Sequence, residues 1–236
     1  MFSRLLVIAA VALCVSGWAL AAELAPIKLN QPDKKRGLPL MEALSVKASA
    51  VEWSDRDLSL QDLSDLLWAA TGINRPENKK TTASSAQNAR DVDVYVFMKE
   101  GVYLYDLESH TLKPVLEGDF RSQIMMARPP RPATAPPGGP PPGAAPPPAP
   151  PAPSNPPVQL ILVSETARFR SGSPELRAEW GAIDAGIVSQ NISLFCAATG
   201  MKTRPRAAMD KEKVKGLLKL TETQRVFLNH PVGYAK

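Results

Sequence analysis

The stretch DAGIVSQNISLFCAATG, residues 184–200, holds one formal charge in 17 residues, yet Asp184, Gln190 and Asn191 interrupt its apolar run. It is too polar for lipid and too apolar to face water on any side. It reads as the second half of a helix over about 174–199 that is covered nearly all round. Ala185 and Gly186 allow a second element to approach closely. Asp184, Gln190 and Asn191 need hydrogen-bond partners, because a buried polar group without one costs on the order of 1–3 kcal/mol. Cys196, inside the same run, reads as a small buried hydrophobe rather than a nucleophile.

Strand patterns surround this helix. VQLILVSE (158–165) is a continuous apolar run, expected as a central strand covered on both faces. VDVYVFM (92–98) and VYLYDL (102–107) flank a Glu100-Gly101 turn. RVFLNHPVGY (225–234) reads as a last strand interrupted by its proline. A further helix is expected at 210–219. Ser59 and Asp62 resemble a capping box, followed by the apolar stripe Leu60, Leu63, Leu67 and Ala70 and a stop at Gly72. Another helix begins at Pro39, with Leu40, Ala43 and Leu44 on one side. A loop rich in Asn, Lys, Thr and Ser leads up to Arg90. The mixture predicts an α+β domain, one sheet with helices packed on it.

Three segments stand apart. Residues 1–21 have a basic start at Arg4, a short apolar core and an Ala-x-Ala end at Ala19–Ala21, the pattern of a secretory signal peptide. The apolar run is too short for a stable membrane span once the signal is removed, and an uncleaved anchor is the other reading. Leu13 before Cys14 argues against lipidation. Export, to the periplasm, is therefore expected. Residues 22–37 form a polar arm without periodicity, a strap or tail. Residues 129–157 contain 16 of the 24 prolines with Ala and Gly, a composition that cannot bury a core and favours solvated polyproline II. Extended, that segment reaches roughly 90 Å. It reads either as a tolerated surface insertion or as a spacer or docking motif for a partner. One domain is expected from 38–128 and 158–236.

Signal removal leaves Cys196 alone, so stability rests on packing or oligomerisation rather than a disulfide. The net charge of +5 falls to +4 with Arg4 gone. Basic residues are spread out with no basic–aromatic module, which argues against nucleic acid as a partner. His110 and His230 are far apart and belong to no metal or catalytic spacing; both read as structural or solvated. HExxH, CxxC, G-x-S-x-G and P-loop patterns do not occur. Without strong catalytic side chains, a cofactor is the remaining carrier of chemistry.

Taken in order, LSLQDLSDLLWAATGINRP (58–76), TTASSAQNARDVDVYVF (81–97), GVYLYD (101–106), residues 184–210 and LNHPVGY (228–234) resemble the FMN-dependent nitroreductase family, most closely its small exported branch. The resemblance implies a nitroreductase-like fold whose central mixed sheet is mainly antiparallel. It also implies a homodimer built on the 174–199 helix, with FMN in a cleft between the subunits. The implied activity is a ping-pong oxidoreductase. Electrons pass from a reduced donor, NAD(P)H in most relatives, through the flavin to a nitroaromatic, a quinone or a similar small acceptor. No catalytic side chain and no metal is implied.

The resemblance also assigns residues. The family's Arg-Arg-Ser-x-Arg phosphate stretch aligns with Lys47-Ala48-Ser49-Ala50-Val51, so Lys47 and Ser49 would hold the FMN phosphate. Ala48 and Val51 stand where the pattern is basic or polar, and each missing charge-assisted contact is worth about 1.5–3 kcal/mol. Ser85 and Asn88 match the loop that approaches the flavin ring. Arg204, Pro205 and Arg206 match the segment whose backbone lies along its other face. Arg90 stands where relatives often have Gln. A flavin-deficient binding or structural module of the cell envelope is the alternative function.

Overall fold

The computed structural model describes residues 24–125 and 156–236. The expected signal peptide, and the proline-rich segment as far as residue 155, lie outside the described residues.

Strands β1 (Ile27–Lys28), β2 (Ile73–Arg75), β3 (Lys80–Thr81), β4 (Val92–Phe97), β5 (Gly101–Asp106), β6 (Thr111–Glu117), β7 (Val158–Glu165), β8 (Lys202–Thr203) and β9 (Gln224–Gly233) alternate with helices α1 (Leu40–Val46), α2 (Leu60–Thr71), α3 (Pro174–Thr199) and α4 (Lys211–Leu218). Seven strands form one sheet in the order β1-β6-β5-β4-β7-β9-β8, and each neighbouring pair is antiparallel. An isolated parallel bridge joins Ser49 to Thr203. The central pair, β4 against β7, joins chain from either side of residues 126–155. β2 and β3 form a separate hairpin within the polar loop before Arg90.

Alternation along the strands divides the apolar residues between two cores. Val92, Val94, Val96, Leu160 and Leu162 face α2 and α3. Tyr95, Phe97, Ile161 and Val163 face the other side, where Val214 and Leu218 of α4 cover them. β7 is buried on both faces, as its unbroken apolar run predicts. Ser59 caps α2 by accepting from the Asp62 backbone N–H.

Two expectations need correction. β9 runs unbroken through Pro231, which pairs with Gln159 across from it. The Asn229 backbone faces away from β7, bonding Arg206 in both directions at 2.8 Å. Pro231 has the same parity, so its nitrogen faces that outer edge and costs the β7 ladder nothing. In α1, Ala43 is the buried residue, while Leu40 and Leu44 are exposed. The polar arm is tied down as a strap. β1 pairs with β6, the Asn30 N–H donates to Ser64 Oγ, and Arg36 reaches both Asp62 and Asp65.

Candidate functional site

The groups that the sequence singles out gather at the two ends of the 184–200 stretch of α3. At its C-terminal end, Ser49 bridges Thr203 and the Ala50 N–H donates to the Thr203 carbonyl at 2.9 Å. This sets Lys47 and Ser49, just past α1, beside Lys202 and Arg204. Trp53 fixes the arrangement: it is buried, and its indole N–H donates to the Lys202 carbonyl at 3.1 Å. Between the strands of chain lies a groove of about 340 Å³, walled by Leu38, Val46, Ala48, Ala197 and Met201. Lys47, Ser49, Arg204 and Pro205 are exposed. Among the described residues no carboxylate pairs with Lys47, Lys202 or Arg204. Unpaired cations and a hydroxyl beside an apolar groove fit a phosphate-bearing planar ligand.

Arg206 lies near Arg204, but its side chain turns to other contacts. Asn229, which it pairs, lies on the α4 face of the sheet with Ile161. The Arg206 guanidinium lies 5.8 Å from the Trp53 ring centroid, and Nη1 donates to Met125 Sδ. Burial, then the nearby Arg204 charge, lowers its pKa. Alternation decides this: Thr203 points toward His230 and α3, and Arg206 points away.

At the other end, the Ser85–Arg90 loop bends through three left-handed residues, Gln87 (φ 55°), Asn88 (φ 54°) and Arg90 (φ 47°). Each costs on the order of 1–2 kcal/mol outside glycine, least for asparagine. Side chains hold the bend. Asp184 Oδ2 accepts from the Ala86 N–H at 2.8 Å. Ser85 Oγ accepts from the Arg90 N–H at 2.8 Å, so this hydroxyl shapes the loop. Gln87 is tied to Ser171 and Arg170, and Arg168 donates to the Arg90 carbonyl. Asn88 is exposed, and its amide has no protein partner among the described residues. A small cavity beneath the loop is lined by Ser85, Arg90 and Asp184.

The polar residues of α3 find different partners. Asp184 is buried against the loop, Asn191 donates to the Ala70 carbonyl at 3.4 Å, and Gln190 is exposed. Cys196 is buried, which pushes its thiol pKa up and keeps it protonated. His230 is fully buried between Ser189 Oγ (2.8 Å from Nε2) and Thr203 Oγ1 (3.2 Å from Nδ1), and burial lowers its pKa to about 3. It ties β9 to α3 and β8. His110 links Tyr105 to the Asn30 carbonyl, anchoring the strap. Both are structural, as expected. Among the described residues no group of three metal-ligating side chains occurs, and no helix is long and apolar enough to cross a membrane.

Two residues that matter here are not singled out by the sequence. Trp53 carries only the weak signal of a lone tryptophan after residues 47–51. Asp91, in Arg-Asp-Val-Asp-Val, looks like any polar residue starting a strand, yet it is fully buried.

The inner face of α3 packs on the sheet, while the outer face is open: Ile183 is 55% exposed and a Cβ on Gly186 would meet nothing within 4 Å. Beside it α1 exposes Leu40, Met41, Leu44 and Val46. A groove of about 440 Å³ runs between them, lined by Leu40, Ala43, Leu194 and Phe195 together with the polar Thr82 and Asn191. Asp184 and Gly200 are 16 residues apart, roughly 24 Å of helix. The loop cluster and the cationic cluster of one chain therefore lie at opposite ends of this stretch.

Residues 52–234 match the family model described as the nitroreductase family. A protein of Methanocaldococcus jannaschii named as a nitroreductase is 23% identical over 215 residues, covering 88% of this chain and 96% of the relative. A crystal structure named as a nitroreductase of Ralstonia eutropha superposes with a TM-score of 0.73 at 28% identity, covering 89% of this chain and 90% of that one. One from Anabaena variabilis, at 12% identity and a TM-score of 0.62, covers 84% of this chain and 38% of its own, and shows the fold alone.

Proposed function

The chain belongs to the nitroreductase family, and on that premise we propose that it is an FMN-dependent oxidoreductase working as a homodimer, with each flavin site built from both chains. The observation that carries this reading is the separation of the two clusters along α3, with an exposed apolar face between them. A second copy packed antiparallel on that face brings its own Ser85–Arg90 loop to the first copy's cationic groove. A two-fold interface does this twice, once at each end.

In that arrangement Lys47, Lys202 and Arg204 neutralise the phosphate and Ser49 donates to it. The 202–206 backbone lines one side of the ring. The partner copy of Asn88 offers both a donor and an acceptor to the ring's mixed edge. Leu38, Val46, Ala48 and Met201 exclude water from the groove. FMN, when bound, supplies the hydride chemistry by which a reduced donor such as NAD(P)H passes electrons to a nitroaromatic, quinone or similar small acceptor. The protein's part is binding, orientation and water exclusion, with no acid or base required of it. Export to the periplasm, and a partner for the proline-rich segment, remain part of this proposal.

Ala48 and the 74% exposed Val51 favour a second reading, a flavin-deficient binding or structural module. Titrating the full chain with FMN and following flavin fluorescence separates the two. The enzyme reading predicts saturable quenching; no uptake at high micromolar FMN would reject it and leave the module.

A further inference from the structure

Asp91 is fully buried between β7 and α3. Its Oδ2 accepts from Ser164 Oγ at 2.5 Å, while Oδ1 has no partner donating to it. The Asp184 carboxyl lies within hydrogen-bonding reach, and Asp184 is itself engaged by the Ala86 N–H. No cation is paired with either carboxyl among the described residues: Arg90 turns to Glu108, and Arg168 turns to Asp93. Gly181, above Ser164 on α3, leaves no room for a side chain. The remaining neighbours around the loop's cavity, Thr71, Thr81 and Ser85, are uncharged. Two carboxylates facing each other in such a place repel, unless one of them carries a proton and donates it.

We infer that Asp91 carries that proton and donates it to Asp184, and that this bond positions the flavin-facing loop. The inference rests on the proposed flavin site for its functional meaning, but not for its chemistry. Asp91 directly follows the left-handed Arg90, so force on its carboxyl acts on the loop. When the proton leaves to solvent, two anions share the buried site, the pair separates, and the Ala86 clamp slackens. Asp91 and Asp184 are thus positioning residues, and affinity for flavin falls as pH rises. Burial first, with the Asp184 carboxyl adding to it, raises the pKa of Asp91 to about 7, which sets the window.

The test is the pH dependence of the full chain between about pH 5 and about pH 9. Asp91→Asn mimics the protonated acid, since its carboxamide accepts from Ser164 and donates to Asp184. Wild-type affinity for FMN should fall about tenfold across the window, against less than about twofold for Asp91→Asn. The second ionisation of the FMN phosphate acts in the opposite sense and is common to both. Hydrogen-exchange protection at Ala86 and Arg90, taken relative to the base-catalysed intrinsic rate and measured without flavin, should fall above pH about 7 in the wild type and hold in the variant. The folded-state pKa is raised, so the stability it confers is full below about pH 4 and lost as pH rises to about 7. His230 acts in the opposite sense below pH about 6.5, so the quantity read is wild type minus variant. If FMN never binds, the flavin reading fails, while exchange and stability still decide the pair. Parallel profiles for wild type and variant overturn the inference. Should Asp91→Asn not fold, carboxyl NMR of aspartate-labelled wild type replaces it: one buried carboxyl titrating near neutrality supports the pair, and none overturns it.

Discussion

At its Asp184 end the 184–200 stretch meets a loop clamped from several sides, its left-handed residues held by Asp184, Ser85, Gln87 and Arg168. At its Gly200 end it meets a groove whose cations and hydroxyl are exposed and unpaired among the described residues. One end has spent its polar groups on its own shape; the other has kept them free. A buried clamp fixes backbone geometry at a cost in strain, whereas an exposed cationic cluster costs the fold little and holds its binding energy for a ligand. Substitutions of the clamping side chains at the first end should therefore read out in stability, and those of the free groups, Asn88 in the loop included, in binding.

The largest effect is expected between the two ends. Ile192→Ala, on the buried inner face of α3, should destabilise by roughly 2–5 kcal/mol in urea unfolding. Asp184→Ala, which leaves the Ala86 N–H and Asp91 without their partner, should cost about 1.5–3 kcal/mol in the same assay. A loss below about 0.5 kcal/mol would show that the loop is not clamped there. Lys47→Ala should leave unfolding unchanged and weaken FMN binding roughly 10- to 150-fold by fluorescence titration. An unchanged dissociation constant would remove Lys47 from the phosphate site. Asn88→Ala should show the smallest effect, roughly 2- to 10-fold in FMN affinity, again at constant stability. If it destabilises the chain instead, its amide belongs to the loop's clamp and not to the flavin site.

Much of this was legible in the residues. The unbroken run of β7, the alternation of β4 and the Ser59 cap each carry a local signal that tertiary packing does not override. Lys47, Ser49 and Arg204, far apart in sequence, lie side by side because Ser49 and Ala50 pair with Thr203. What escaped depends on the far side of a contact. Strand β6, Thr111–Glu117, carries Lys113 and Pro114 and has no clean apolar alternation. Arg206 turns to the other sheet face because of its register with Asn229, which spacing along the chain does not reveal. Asp91 looks like a solvent-facing strand start until Ser164 and Asp184 close over it. Pro231 reads as a breaker only while the edge it faces is unknown.

In the proposed dimer the two ends of α3 serve one ligand. Sedimentation of the full chain with FMN, followed by flavin absorbance, tests this directly. Flavin should travel with a species of two chains, one flavin to each. Flavin sedimenting with a single folded chain would contradict the shared site.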